Sequence, residues 1–269
     1  MSAGTVVLVG CGQMGSAMLR GWLKSGAGQR FVVVEPAGAP EVLAPSPRVD
    51  AHRAAADLPE GLAPEAVVFA VKPQVIGDIV PLYRRFVRPQ TVFMSIAAGT
   101  TIGNLRRHLG EAAIVRVMPN TPAAIGRAIS VACASPQVSE AQRALCGALL
   151  AAIGESTWVE DEGLLDAVTA VSGSGPAYVF LLIETLAAAG EKAGLPPALA
   201  LHLARSTVAG AGELARVSHE APARLRENVT SPGGTTRAAL DVLMSEDGLA
   251  SLMERAVAAA TRRSRELAG

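Results

Sequence analysis

The stretch Thr5-Val6-Val7-Leu8-Val9-Gly10-Cys11-Gly12-Gln13-Met14-Gly15 decides the fold of the first half of the chain. Its first five residues are apolar or β-branched and carry no charge, as in a parallel strand buried on both faces. The next six read G-x-G-x-x-G, and Met14, Met18 and Trp22 then recur on one helical face as far as Ser25-Gly26. A second β-branched run, Phe31-Val32-Val33-Val34, ends in the acid Glu35. Strand, glycine loop, helix, strand, acid is the order of a dinucleotide-binding βαβ unit. In that geometry Gly10 permits the tight turn and Gly12 lets a pyrophosphate approach the backbone. Gly15 lets the helix pack close to the strand. Gln13 and Met14 open the helix, whose N-terminal dipole faces the phosphates. Cys11 reads as a small space-filler inside the loop rather than a reactive thiol.

Glu35 reports on the cofactor. An acid at the end of the second strand accepts hydrogen bonds from a ribose 2′-hydroxyl and repels a 2′-phosphate. No Arg or Lys follows in Pro36-Ala37-Gly38-Ala39-Pro40, so the choice between NADPH and NADH leans towards NADH. Arg53, after a third strand near Val49, can reach the adenosine end from another direction and opposes that lean. A solvated strand-end acid is the plainer alternative for Glu35.

The alternation continues. Ala66 to Val71 reads as a buried strand that ends in Lys72-Pro73-Gln74, and a helix follows from about Val75 to Phe86. Thr91 to Ser95 is a strand closing on Ile96-Ala97-Ala98-Gly99-Thr100, and Ile114 to Met118 is one closing on Pro119-Asn120-Thr121-Pro122. In a doubly wound sheet, ligands lie outside the carboxyl ends of the strands. Ala70, Ser95, Ala97, Ala98 and Asn120 therefore join the glycine loop around one crevice. Ile129 to Ala134 makes a further strand, Glu140 to Ile153 a helix, and Thr157 to Val159 closes the sheet.

Composition bounds the class. The chain has 269 residues, half of them hydrophobic, with 24 basic and 24 acidic side chains. Such a balance gives no basic face for nucleic acid. The apolar run Ala177 to Ile183 stops at Glu184, too short for a membrane span, and no basic segment leads into an apolar one near the start. Cys11, Cys133 and Cys146 are scattered and form neither a disulfide framework nor a metal spacing. A cytoplasmic protein without a metal site is expected.

From Glu162 onward the pattern is helical throughout. Glu162 to Val171 is interrupted by Ser172-Gly173-Ser174-Gly175-Pro176, and Pro176 suits the first position of the next helix. That helix, to about Ala193, carries Tyr178, Phe180, Leu181, Leu182, Ile183 and Leu186, and is apolar around most of its circumference. Such a helix needs cover on nearly all sides. About 110 residues cannot supply it, so an intertwined homodimer is expected, each copy burying the other's helices. Further helices run to about Val217, from Ala223 to Val229, and from Leu249 to Leu267. The expected division is a dinucleotide-binding Rossmann-type domain over 1–160 and an all-α dimerisation domain over 161–269.

One loop in the helical half stands out: Asn228-Val229-Thr230-Ser231-Pro232-Gly233-Gly234-Thr235-Thr236-Arg237. Read alone, it is either a corner whose hydroxyls cap the next helix or a clamp whose freed N–H groups hold a carboxylate. A cofactor crevice upstream needs a substrate-binding counterpart, and this is the one Gly-rich, hydroxyl-rich break suited to supply it.

Taken in order, five motifs resemble one family. They are the N-terminal glycine loop, Ala70-Val71-Lys72-Pro73-Gln74, Met118-Pro119-Asn120-Thr121-Pro122, Ser172 to Tyr178, and Thr230 to Thr236. The whole chain is similar to pyrroline-5-carboxylate reductase, and the last two motifs are the most specific. The resemblance implies reduction of the cyclic imine 1-pyrroline-5-carboxylate to L-proline with NAD(P)H, by an interlocked dimer that often assembles further. It implies that the loop from Ser231 to Thr236 binds substrate, with backbone donors around Gly233, Gly234 and Thr235 on the carboxylate. The Thr236 hydroxyl would contact the ring nitrogen and Asn228 would lie near the nicotinamide end. Val71, Lys72 and Pro73, with Ser95, Ala97 and Ala98, would line the cofactor crevice. The chain departs from the family at Glu35-Pro36 and at His52-Arg53, both of which bear on the 2′-phosphate.

A protonated cyclic imine is already electrophilic, so the chemistry asks for orientation more than for a strong acid. Thr236 is therefore read as a positioning and hydrogen-bonding group, and Tyr178 as core rather than proton donor. Another cyclic imine reductase is one rival. A β-hydroxyacid dehydrogenase-like enzyme is a second, but it would need a lysine early in the helix where this chain has Tyr178 and Val179. A dinucleotide-binding regulator without activity is the third.

Overall fold

A computed structural model describes residues 4–26, 29–38 and 46–268. Ala39 and Pro40, part of the stretch after Glu35, lie outside the described residues. The strands are β1 (Thr5–Val9), β2 (Arg30–Val34), β3 (Val49–His52), β4 (Ala66–Phe69), β5 (Val92–Ser95), β6 (Ala113–Met118), β7 (Ala128–Ala134) and β8 (Gly154–Val159). They form a single sheet in the order β3-β2-β1-β4-β5-β6-β7-β8. Neighbours run parallel except β6 and β7. That pair is antiparallel for a physical reason. Only residues 119–127 separate the two strands, and a parallel return needs a dozen residues or more.

The helices are α1 (Gln13–Lys24), α2 (Ile76–Ile79), α3 (Ile102–Leu109), α4 (Glu140–Ala151), α5 (Leu164–Val168), α6 (Gly175–Lys192), α7 (Pro197–Val217), α8 (Pro222–Asn228), α9 (Thr235–Leu243) and α10 (Leu249–Ala268). The helix expected from Val75 to Phe86 is instead a 3-10 turn, the four residues of α2, and a second 3-10 stretch over Val80–Phe86. Pro81 accounts for the break, since it lacks the N–H a regular helix needs and its ring crowds the preceding turn. Helix α3 is not announced by any long apolar run. Thr101 starts it, its hydroxyl accepting the Asn104 N–H at 3.1 Å. The break at Ser172–Pro176 is a π-turn over Thr169–Gly173 leading into α6.

Alternate residues of the central strands feed two cores. Val6, Leu8, Val68 and Met94 pack with Met18 and Trp22 of α1 on one face. Val7, Val9, Val67 and Phe93 pack with Tyr83, Phe86 and Leu105 on the other. Trp22 stacks on Phe31 at 5.4 Å and donates its indole N–H to Leu149 O at 2.9 Å, joining α1 to α4. Removing a side chain such as Phe86, 1% exposed, is expected to cost about 3–5 kcal/mol.

The chain forms two compact units, Met1–Gly173 with Ala260–Gly269, and Ser174–Ala259. By packing, the division falls after the π-turn. Leu165 of α5 is buried with Met118, Val131 and Cys133 against the sheet, which keeps 161–173 with the first unit. The end of α10 belongs there as well: Ser264 Oγ donates to Asp166 Oδ1 at 2.7 Å, and Asn104 Nδ2 donates to Ala268 O at 3.2 Å.

Candidate cofactor crevice and hydroxyl-rich loop

The carboxyl ends of β1, β2 and β4 open onto a cavity of about 570 Å³. Of the residues singled out in sequence, Gly10, Gly12, Glu35, Arg53, Ala70, Val71 and Lys72 line it. Gly10 sits at φ 87°, and a Cβ there would lie 2.8 Å from Val71 Cγ1. A Cβ on Gly15 would come within 2.4 Å of Gly10 O, so the helix can approach the loop only without a side chain. Gly12 is different: nothing lies within 4 Å of a Cβ built there, and the residue faces the cavity. Turn, open approach and close packing thus fall on Gly10, Gly12 and Gly15 in the order the motif requires.

Glu35 does more than end a strand. Its Oε2 accepts the Cys11 N–H at 2.7 Å and its Oε1 accepts the Ala37 N–H at 3.2 Å. The carboxylate is therefore fixed at the glycine loop, on the same cavity wall as Arg53. The Cys11 thiol is buried 3.6 Å from Ser16 Oγ, whose hydroxyl donates to Cys11 O at 2.7 Å. Burial pushes this thiol up from its ordinary value and the Glu35 charge adds to the rise, against the Ser16 hydrogen bond and Arg20. A thiol kept protonated is a poor nucleophile, which agrees with a filling role.

Apolar side chains absent from the sequence argument complete the wall: Val75, Ile79, Leu82 and Tyr83. Their spacing along one helical face is a usable signal. Only the expectation of an ordinary packing helix obscured it.

The remaining crevice residues lie at the same edge but outside this cavity. Gln13 and Met14 open α1, and Pro73 opens the 3-10 turn after Lys72. Ser95 is buried and its Oγ accepts the Ala97 N–H at 3.3 Å. Ala97 belongs to the second core, and Ala98 packs against the cluster around Met118 and Leu165. The Asn120 side chain donates to Ser172 O at 3.2 Å and accepts the Ile129 N–H at 3.0 Å.

In the second unit, the loop turns through Gly233 at φ 68°, and Gly234 N donates to Ser231 O at 3.0 Å. Gly234 caps α9 and brings no side chain to the task. The first turn of α9, with Thr235, Thr236 and Arg237, thus presents N–H groups that have no acceptor within the helix. Thr230 Oγ1 donates backwards to Arg226 O at 2.6 Å. Asn228 Nδ2 donates to Glu220 Oε2 at 3.0 Å. The corner whose hydroxyls cap the next helix is not what forms here.

This unit leaves its apolar helices uncovered. Phe180, Leu181 and Leu182 on α6 are 62%, 57% and 49% exposed. The helical run Leu164–Lys192 is long and apolar enough, by length and composition, to cross a membrane, which the stop at Glu184 taken alone does not convey.

Two family models match. "Pyrroline-5-carboxylate reductase dimerisation" covers residues 162–267, and "NADP oxidoreductase coenzyme F420-dependent" covers residues 5–99. A pyrroline-5-carboxylate reductase of Pseudomonas aeruginosa is 38% identical over 271 residues, covering 100% of this chain and 98% of that one. The solved structure of a pyrroline-5-carboxylate reductase from Coxiella burnetii superposes with a TM-score of 0.88 at 30% identity, covering 100% of both chains. That of Plasmodium falciparum pyrroline carboxylate reductase with NADP bound gives 0.83 at 28% identity, again over 100% of both. With the glycine loop, the exposed helical half and this similarity along its whole length, the chain belongs to the pyrroline-5-carboxylate reductase family.

Proposed function

We propose that this chain reduces 1-pyrroline-5-carboxylate to L-proline, with the crevice holding the hydride donor and the loop holding the acceptor. The single observation that carries the donor half is the glycine loop itself. Gly10 and Gly15 are packed where a Cβ would collide, while Gly12 stands open on the cavity. The bound dinucleotide supplies the hydride; the residues of the chain bind and orient. Gly10, Gly12 and the start of α1 would hold the pyrophosphate, and Val71, Lys72 and Pro73 with Ser95, Ala97 and Ala98 would line the rest. Glu35 would accept from a ribose 2′-hydroxyl.

On the acceptor side, N–H groups around Gly233, Gly234 and Thr235 would hold the carboxylate, as helix starts do for anions. The Thr236 hydroxyl would meet the ring nitrogen and fix which face of the iminium carbon is presented. The hydride adds to that carbon, the C=N electron pair moves to nitrogen, and the proton already on nitrogen stays there. No strong acid is required. Orientation of two bound partners can lower such a barrier by about 7–11 kcal/mol at the favourable limit.

The exposed face of α6 supports an interlocked homodimer in which a second copy covers it. The fixed carboxylate of Glu35 supports NADH over NADPH, because a 2′-phosphate would be brought beside it. Following nicotinamide absorbance on adding the imine, with NADH and NADPH in parallel, tests the whole reading. Consumption of NADH at the lower KM is the expected result. Binding of dinucleotide without consumption would leave only a regulator.

A further inference from the structure

Arg116 is the one charged residue in the buried class among the described residues, 3% exposed at the middle of the sheet. Its Nη1 donates to Glu162 Oε1 at 2.9 Å, and the same carboxylate oxygen accepts the Ile102 N–H at 2.8 Å. Arg116 Nη2 is buried with no hydrogen-bond partner. A buried ion pair is a poor device for stability alone, because apolar residues of similar volume often replace it without loss. What apolar residues cannot do is hold a backbone N–H. Here one oxygen ties the guanidinium of β6 to the first N–H of α3.

That N–H ends the segment 96–101, which follows β5. At its start, Ser95 Oγ accepts the Ala97 N–H, and Thr100 N donates to Ala97 O at 3.2 Å. In its middle, Gly99 sits at φ 72°, and a Cβ there would lie 2.9 Å from Leu267 Cβ. The far end is held by Glu162. We propose that Arg116 and Glu162 are positioning residues for the reaction, setting through Ile102 the place from which Ala97 and Ala98 meet the dinucleotide. This rests on the reading of those two alanines as crevice residues. Neither charged side chain touches a reacting atom in this role.

The test uses the full-length chain with Glu162→Ala, and with Arg116→Met/Glu162→Leu as an apolar replacement. Dinucleotide affinity is read directly by NADH and NADPH fluorescence, with KM values, thermal melting and amide exchange over residues 96–104 alongside. Glu162→Ala, which removes the acceptor of the Ile102 N–H, is expected to raise the dinucleotide Kd and KM about tenfold while KM for the imine stays within about twofold. Exchange over 96–104 should quicken while exchange in β1 and β4 is unchanged. The apolar pair should melt close to the parent and still show the weaker dinucleotide binding, which a purely structural role would not produce. Unchanged dinucleotide affinity and unchanged exchange in both variants would overturn the proposal, as would a lowered melting temperature with affinity intact. If the parent binds dinucleotide but does not reduce the imine, the proposed reaction fails while the affinity and exchange readings still decide this one.

Discussion

The sheet unit and the helical unit treat apolar surface in opposite ways. In the first, Trp22, Phe31, Phe69, Tyr83, Phe86 and Phe93 are at most 1% exposed. In the second, the apolar side chains in the buried class are Ala187, Ala200 and Ala204, while Phe180, Leu181, Leu182, Leu199, Leu201 and Leu203 face outwards. The sheet closes its own core because helices cover both faces. The helical unit has no second layer of its own, and a chain does not keep so large an apolar area against water without a use for it. One unit buries its large apolar side chains; the other leaves them exposed.

The sharpest way to break this contrast is to charge the uncovered face. Phe180→Glu/Leu181→Glu should abolish assembly, leaving a monomer by light scattering with no detectable turnover. Each buried large apolar side chain contributes about 1.5–3 kcal/mol, and two buried carboxylates add a desolvation cost. The isolated sheet unit should still bind dinucleotide under the same conditions. A dimer of unchanged activity would show that α6 meets no second copy.

Next in size is Gly12→Asp, which puts a carboxylate where the open loop faces the cavity. Dinucleotide binding should fall beyond detection, with little change in melting temperature because no protein atom lies in the way. Mixing this chain with a Thr236→Ala chain asks whether the two halves of the reaction come from different copies. Activity in the mixed dimer well above that of either parent is the expected outcome.

Why the first of these units was legible and the second only half so has physical causes. Parallel strands buried on both faces are largely apolar runs, and β1, β2, β4 and β5 show them, with β6 broken only by Arg116. The glycine loop is equally plain, because backbone clearance leaves no other residue type. The antiparallel β7 was not, since direction depends on connection length rather than on the strand itself. Helix α3 escaped because eight residues give barely two turns of periodicity. In the helical unit the uniform apolarity of α6 pointed to a partner from sequence alone. The hydroxyl-rich loop was read as a clamp only through its context, because corner and clamp have the same composition taken alone. Arg116 was invisible for a similar reason: an arginine inside an apolar strand does not name its carboxylate 46 residues away.

Thr236→Ala should have a smaller effect than either change above. A hydrogen bond to a charged group is worth about 1.5–3 kcal/mol, so turnover should fall on the order of tenfold to a hundredfold. Dinucleotide affinity should not move, since the change lies in the other unit. An unaltered kcat would remove Thr236 from the mechanism.

The smallest expected effect is the most informative about the sheet unit, and it concerns Glu35. Its carboxylate has two jobs that a single substitution confounds: charge near the ribose, and acceptance of the Cys11 and Ala37 N–H groups. Glu35→Gln removes the charge and keeps an acceptor of the same length, so the loop geometry should survive. If repulsion of a 2′-phosphate sets the preference, the ratio of kcat/KM for NADPH over NADH should rise about tenfold, with NADH itself little affected. Glu35→Ser shortens the side chain and frees the Cys11 N–H, so it should favour NADPH further but weaken both cofactors through a looser loop. The order of the two variants therefore separates charge from anchoring. A Gln variant identical to the parent, beside a Ser variant weakened for both dinucleotides, would make Glu35 a strut of the glycine loop and leave Arg53 to set the preference.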